Sequence, residues 1–252
     1  MKALLASGLL TLFSVVSSQS IERSHCIIYQ GYVRGDVELW KKGMAESQKA
    51  YNREPSSSTL YAMTESRYGF IGYLLDTGNK ALIKVHVDTL EQEIEKLEDF
   101  ADYKAETEAF RVALLGFRMG LNPAMAVILG PRALKQLEKA MADGVYSPYV
   151  WVEKANSEAH MPAFAGGSKI KAAESYREAL RLFELNKEAL NCNWRYLNTF
   201  VLLGKTLEQN GDYNGAREAY GNALVTEPAF KWVRDELLPA VEKRLKQTET
   251  TD

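Results

Sequence analysis

The chain is predicted to be all-α, a right-handed superhelical array of helix-turn-helix hairpins closed by a C-terminal capping helix, and three observations lead there. Between Asn198 and Pro228, large Phe200, Leu203 and Leu207 fall at helical spacing, Gly204 follows Leu203, and small Ala216 and Ala223 flank Tyr220 beyond the Gly211-Asp212 turn. That gives an apolar stripe on a first helix and a close-packing face on a second, and such a hairpin buries both faces only by stacking on neighbours. The same Ala, Tyr, Ala spacing recurs at Ala172, Tyr176 and Ala179, the mark of an internal repeat. No stretch shows the two-residue alternation of a strand-rich region.

The elements follow in order. Met1-Lys2, the apolar run Ala3 to Val16 and then Ser17-Ser18-Gln19 have the charged, apolar and small-residue zones of a secretory signal peptide, with cleavage expected after Ser18. At about 14 residues the run is shorter than the roughly 20 a spanning helix needs. Residues 1–18 are therefore expected to be removed, leaving 19–246 as one periplasmic or secreted helical repeat domain and 247–252 as a frayed tail. A degenerate first hairpin is predicted from Ile21 to Arg53, turning at Gly35-Asp36. Pro55 and Ser56-Ser57-Ser58 break the chain, and Ser58 or Thr59 is expected to cap a helix from Leu60 to Leu75. After the Gly78-Asn79 turn, Ile83, Val87, Leu90, Ile94 and Leu97 stripe a helix from Lys80 to Glu98. The third hairpin pairs Lys104–Met119 with a helix opening at Pro131 and running to Met141. The fourth pairs Ser147–His160, with Ser147 as cap, with Ser168–Leu185; the fifth is the Asn198–Pro228 repeat. Trp232, Leu237, Leu238, Val241 and Leu245 then form the capping helix.

Composition excludes several function classes. The 252 residues, 46% hydrophobic and 25% charged, hold ample core material, and 31 basic against 33 acidic side chains leave a net charge of -2, without the basic excess of a nucleic-acid binder. The three histidines, His25, His86 and His160, lack metal-ligand spacing, and there is no phosphate loop or nucleophile elbow. Gly166-Gly167-Ser168-Lys169 lacks the earlier glycine of a phosphate cradle and reads as a helix start. Glu91, Glu93, Glu95 and Glu98 read as a solvated helix face. The sequence points to a non-enzyme that needs neither metal nor cofactor. Cys26 and Cys192, near opposite ends of an array whose repeats touch mainly their neighbours, are expected to be free, buried thiols.

The Asn198–Pro228 pattern resembles one tetratricopeptide repeat (TPR). In that family the first helices line a concave groove, and register with Leu203-Gly204, with Trp151 as the counterpart of Phe200 in the fourth hairpin, implies that Phe70, Tyr73, Phe110, Phe117, Tyr149, Asn156, Asn198 and Lys205 face it. Either these aromatic rings receive a partner or they fill the spaces between repeats. Two longer connections, Leu121 to Gly130 and His160 to Gly167, resemble each other through Asn122-Pro123-Ala124-Met125 and Met161-Pro162-Ala163-Phe164. Their apolar residues either fold over the groove mouth as a partner site or tuck into the local core. From Ser147 to Pro239 the chain, with Trp151, Asn156, Asn193-Trp194 and Phe230-Lys231-Trp232-Val233, is similar to exported TPR proteins of Bacteroidetes-type bacteria. The resemblance implies a non-catalytic scaffold binding a protein or peptide. The Gly-Gly-Ser-Lys start is also similar to the periplasmic TPR partners of TRAP transporters, which implies instead a small apolar ligand.

Overall fold

The computed structural model describes the backbone of residues 3–249 and the side chains of residues 19–247. The side chains of the expected leader, and the end of the expected tail, lie outside these. Among the described residues there are eleven α-helices and no strand: α1 (Ala3–Arg34), α2 (Val37–Arg53), α3 (Ser57–Thr77), α4 (Lys80–Leu97), α5 (Lys104–Leu121), α6 (Ala126–Gly144), α7 (Pro148–His160), α8 (Lys169–Glu184), α9 (Trp194–Gln209), α10 (Tyr213–Thr226) and α11 (Leu238–Glu249). The fold is the all-helical array of paired helices that the sequence pattern predicts. The helices gather into two compact units, Met1–Gly31 with Asp36–Tyr103, and Tyr32–Gly35 with Lys104–Asp252.

In the first unit, Asp36 caps α2 by accepting from the Glu38 and Leu39 amides. Ser56, ahead of the expected Ser58 or Thr59, opens α3 through a reciprocal capping box with Thr59. Gly78 ends α3 in the left-handed conformation and Asn79 starts α4. The predicted α4 stripe, Ile83, Val87, Leu90, Ile94 and Leu97, is wholly buried, and α4 packs along α3.

In the second unit, α6 runs antiparallel to α5, with Lys104 bridged to Asp143 at 3.1 Å where α5 begins and α6 ends. Ala109 and Val112 of α5, Ala140 of α6 and Val150 of α7 share one core cluster. Helices α7 with α8 and α9 with α10 form the next hairpins. In α9, a side chain at Gly204 would place its Cβ 2.3 Å from the Tyr220 ring, so glycine sets how closely α10 approaches. Past α10, a π-turn spans Val233–Leu237, and the Leu238 amide reaches the Val233 carbonyl. Pro239 follows at once: it has no N–H and its ring would crowd the carbonyl four residues back, which the wider turn relieves.

Several local expectations need correction. Helix α6 opens at Ala126, not Pro131; a 3-10 turn, Pro123–Met125, whose Asn122 side chain accepts from the Ala124 amide, leads straight into it and leaves Pro131 inside the helix. Ser147 precedes α7 but its hydroxyl does not cap it, because it donates to Glu106 Oε1 at 2.7 Å. Neither cysteine is a free thiol: Cys26 and Cys192 are both disulfide-bonded. The premise that distant segments stay apart fails inside the second unit itself, where the Tyr32 hydroxyl donates to Asn198 Oδ1 at 2.6 Å across 166 positions.

Candidate binding surface

The eight residues expected to share a groove are divided between the units, Phe70 and Tyr73 in the first and the other six in the second. In the first unit Phe70 is buried, edge-on to His86 at 5.0 Å and stacked on Tyr73 at 5.9 Å, while Tyr73 is exposed. Arg67 donates from Nη1 to His86 Nδ1 at 3.1 Å and from Nε to Glu93 Oε1 at 2.8 Å. Burial, then the Arg67 charge, hold the His86 pKa below its ordinary value. Burial raises the Glu93 pKa against the opposing pull of Arg67.

The second unit carries a denser polar arrangement on α7 and α9. Ser147-Pro148 opens α7 so that Tyr149, Glu153 and Asn156 share a face at helical spacing. Asn193 caps α9 by accepting from the Tyr196 amide and also donates to the Tyr149 hydroxyl at 3.2 Å, which sets Arg195 beside α7. The Arg195 guanidinium lies 4.4 Å from the Tyr149 ring centre and 5.6 Å from that of Phe110, and 3.4 Å from Glu153 Oε1. Arg195 and Glu153 are each only 3% exposed, so this ion pair is out of water. Asn156 donates to Glu153 Oε2 at 3.1 Å and accepts from the Tyr176 hydroxyl at 2.6 Å. Burial, then the charges of Glu153 and Glu158, push the Tyr176 phenol above its ordinary pKa. An aromatic ladder runs beside this network, Tyr149 to Phe183 at 5.2 Å, Phe183 to Tyr196 at 5.6 Å and Tyr196 to Phe200 at 5.1 Å.

The remaining expected residues fall as follows. Phe110 is fully buried, a core ring and not an open one; Phe117 is half-buried on the last turns of α5. Asn198 is taken up by Tyr32, whose ring packs against Trp194 at 6.0 Å and Phe230 at 4.9 Å. The Lys205 ammonium sits 5.1 Å from the Trp232 ring centre. One surface went unforeseen. A depression of about 550 Å³ is lined by Trp151, Lys154 and Glu158 of α7 and by Lys171, Glu174, Ser175 and Glu178 of α8. Inside it Lys154 donates to Glu158 Oε1 and Ser175 Oγ, both at 2.7 Å, and Ser175 donates to Glu158 Oε2 at 2.6 Å. Its signal in the sequence is the three- and four-residue spacing of those residues on each helix, obscured because the repeat register aligns Trp151 with the core residue Phe200. The two connections after α5 and α7 bury only part of their apolar residues: Leu129 is buried, but Phe164 is 94% and Val127 83% exposed. Among the described residues no three His, Cys, Asp or Glu side chains are grouped to hold a metal ion, and no helix is long and apolar enough to cross a membrane.

No protein-family model matches the sequence, and no curated protein does. Solved structures do. The HusA haemophore from Porphyromonas gingivalis aligns with a TM-score of 0.63 at 16% identity, over 76% of this chain and 93% of that one. A thermophilic TPR protein of Thermus thermophilus aligns with a TM-score of 0.53 at 15% identity, over 84% of this chain and 98% of that one. The fold is TPR-like. At these identities the likeness is one of fold, and the side chains just described carry any argument about what is bound.

Proposed function

We propose that this protein is a non-catalytic scaffold of the cell envelope that binds a protein or peptide partner on the α7–α9 side of its second unit. The observation that carries the reading is the combination there of the polar side chains Tyr149, Asn156 and Lys205, all half-exposed, with the 550 Å³ depression walled by Trp151 and charged groups. A Trp wall with alternating ammonium and carboxylate groups suits the mixed apolar and polar surface of a peptide. Export rests on the signal-peptide zones, and the disulfide-bonded cysteines fit an oxidising compartment. Intact mass of the protein recovered from expressing cells tests it: export predicts a chain beginning at Gln19, and an unprocessed Met1 chain counts against it. For binding, capture from a cell-envelope extract is expected to fall with Trp151→Ala and with Lys205→Glu while circular dichroism stays unchanged. Undiminished capture by both variants would sink the reading.

A second reading is favoured by the likeness to a haemophore across 93% of that chain. On it, the protein carries a flat, mostly apolar ligand of the porphyrin class beside the Tyr149–Phe183–Tyr196 ladder. A native mass spectrum separates the two: a co-purified adduct of a few hundred daltons, lost on denaturation, supports the ligand carrier, and a clean polypeptide mass supports the scaffold.

A further inference from the structure

The acidic side chains are unevenly spread. In a chain with 33 of them, residues 109–137 and 159–173 contain none, yet carry Arg111, Arg118, Arg132, Lys135, Lys169 and Lys171. These two stretches hold the turn from α5 to α6 and the turn from α7 to α8. Both turns leave the second unit at the same edge. Helices α5 and α7 start side by side, with Ser147 donating to Glu106 and Val150 packed with Ala109 and Val112. Each is then doubled back by its partner, as the Lys104–Asp143 bridge and the Tyr149–Phe183 contact record.

At that edge large apolar side chains point outward. Phe164 is 94% exposed on the short 3-10 turn Ala163–Ala165, fixed between Pro162 and Gly166. The turn is braced from below: Gly167 N–H donates to the Pro162 carbonyl at 3.1 Å and Ser168 N–H to the Glu158 carbonyl at 2.8 Å. Val127 and Ile128, 83% and 53% exposed, project from the first turn of α6, and Ile170 is exposed on the first turn of α8. Arg132 and Lys171 are exposed on the same two helices, within two turns of those apolar tips. Burial, and after it the Lys169 and Lys205 ammonium groups, hold the His160 pKa below its ordinary value, so the positive potential reaches the end of α7.

We propose that this edge docks the protein on an anionic lipid surface, Phe164, Val127 and Ile128 entering the headgroup boundary and Arg132, Lys169 and Lys171 meeting the lipid phosphates. Charge complementarity selects this occupant: Arg132, Lys169 and Lys171 lie in stretches of chain that hold no carboxylate, which matches an anionic bilayer, whereas lysine is depleted at protein–protein interfaces. Shape agrees, since isolated apolar tips on convex turns fit a soft, deformable receptor better than a rigid protein groove. The docking shares Lys171 with the depression of the partner reading above, and the Phe164 and Val127 tips, which lie outside that depression, distinguish the two.

The test is co-sedimentation of the full chain, as processed by the expressing cell, with vesicles of phosphatidylglycerol and phosphatidylethanolamine against vesicles of phosphatidylcholine alone. The protein is expected to bind the anionic vesicles, roughly tenfold less after Phe164→Ser with Val127→Ser, and several-fold less after Arg132→Glu with Lys171→Glu or at high salt. All four side chains are exposed, so these variants keep their fold, which circular dichroism checks. Absence of binding to anionic vesicles overturns the proposal. So does equal binding of wild type and both variants, the result an uncleaved apolar leader would give by itself.

Discussion

At the scale of single residues, the Arg195–Glu153 pair sets the strongest expectation. Both groups are out of water, and the guanidinium also rests on Tyr149. Arg195→Met takes the guanidinium from a buried carboxylate that keeps its Asn156 hydrogen bond, and is expected to cost about 3–5 kcal/mol, whereas Arg195→Met with Glu153→Leu should recover much of that. Urea unfolding of the single and double variants measures the coupling; additive losses would mean that the pair acts as two separate packing residues. His86 sets a second expectation. Its folded pKa lies below the ordinary 6.5, so on acidification the unfolded chain takes up its proton first, and stability falls as pH drops through 6.5. Glu93, whose folded pKa is raised above 4.5, works in the opposite sense, being protonated first in the folded state. A paired comparison therefore isolates the histidine: between about pH 7.5 and about pH 5.5 the His86→Gln variant should lose less stability than wild type. Parallel losses would assign the acid sensitivity elsewhere.

At the scale of elements, Gly204 opposes local preference to packing. Gly204→Ala would raise the helix propensity of α9 by about 1 kcal/mol. The added Cβ would nevertheless stand 2.3 Å from the Tyr220 ring, which is buried and whose hydroxyl donates to Glu208 Oε1, so the ring cannot swing aside cheaply. Overpacking of this kind costs about 1–3 kcal/mol, and a net fall in melting temperature is expected. A rise would show that α10 shifts freely. Much at this scale was legible in the sequence. The α4 stripe and the Ala172–Tyr176–Ala179 match were readable because burial on a helix follows its period, and both tyrosines lie buried with their hydroxyls bonded to the preceding helix. What escaped was decided by partners far along the chain. Ser147 has the residue type of a cap, yet Glu106, 41 positions earlier, takes its hydroxyl. Val127-Ile128-Leu129 is too short to separate loop from helix by pattern, and Pro131 drew the boundary to itself although the chain already turns helical at Ala126. The repeat register that implied a groove face for Phe70, Tyr73 and Phe110 could not say that Phe70 and Phe110 are sealed while Tyr73 stays open.

At the scale of the whole molecule, the order of repeats along the chain does not fix which residues meet. Tyr32, from the end of the first helix, belongs with the second unit, where its ring fills the space between Trp194 and Phe230 and its hydroxyl serves Asn198. A strictly sequential stack would leave Trp194 and Phe230 to solvent at this point; instead both are buried. The cysteines, too, depart from what sequence separation suggested, both being disulfide-bonded. Thiol labelling in denaturant should find no reactive cysteine before reduction and two after it, and labelling before reduction would contradict the disulfide-bonded state. The contribution of Tyr32 can be divided by two substitutions. Tyr32→Phe removes the hydrogen bond alone and is expected to cost about 1 kcal/mol. Tyr32→Ala also uncovers two aromatic rings and is expected to cost about 3–5 kcal/mol, with faster amide exchange at the start of α9. If Tyr32→Ala leaves exchange in α9 unchanged, the second unit is complete without the residues that precede it by some seventy positions, and Tyr32 is a passenger rather than part of its core.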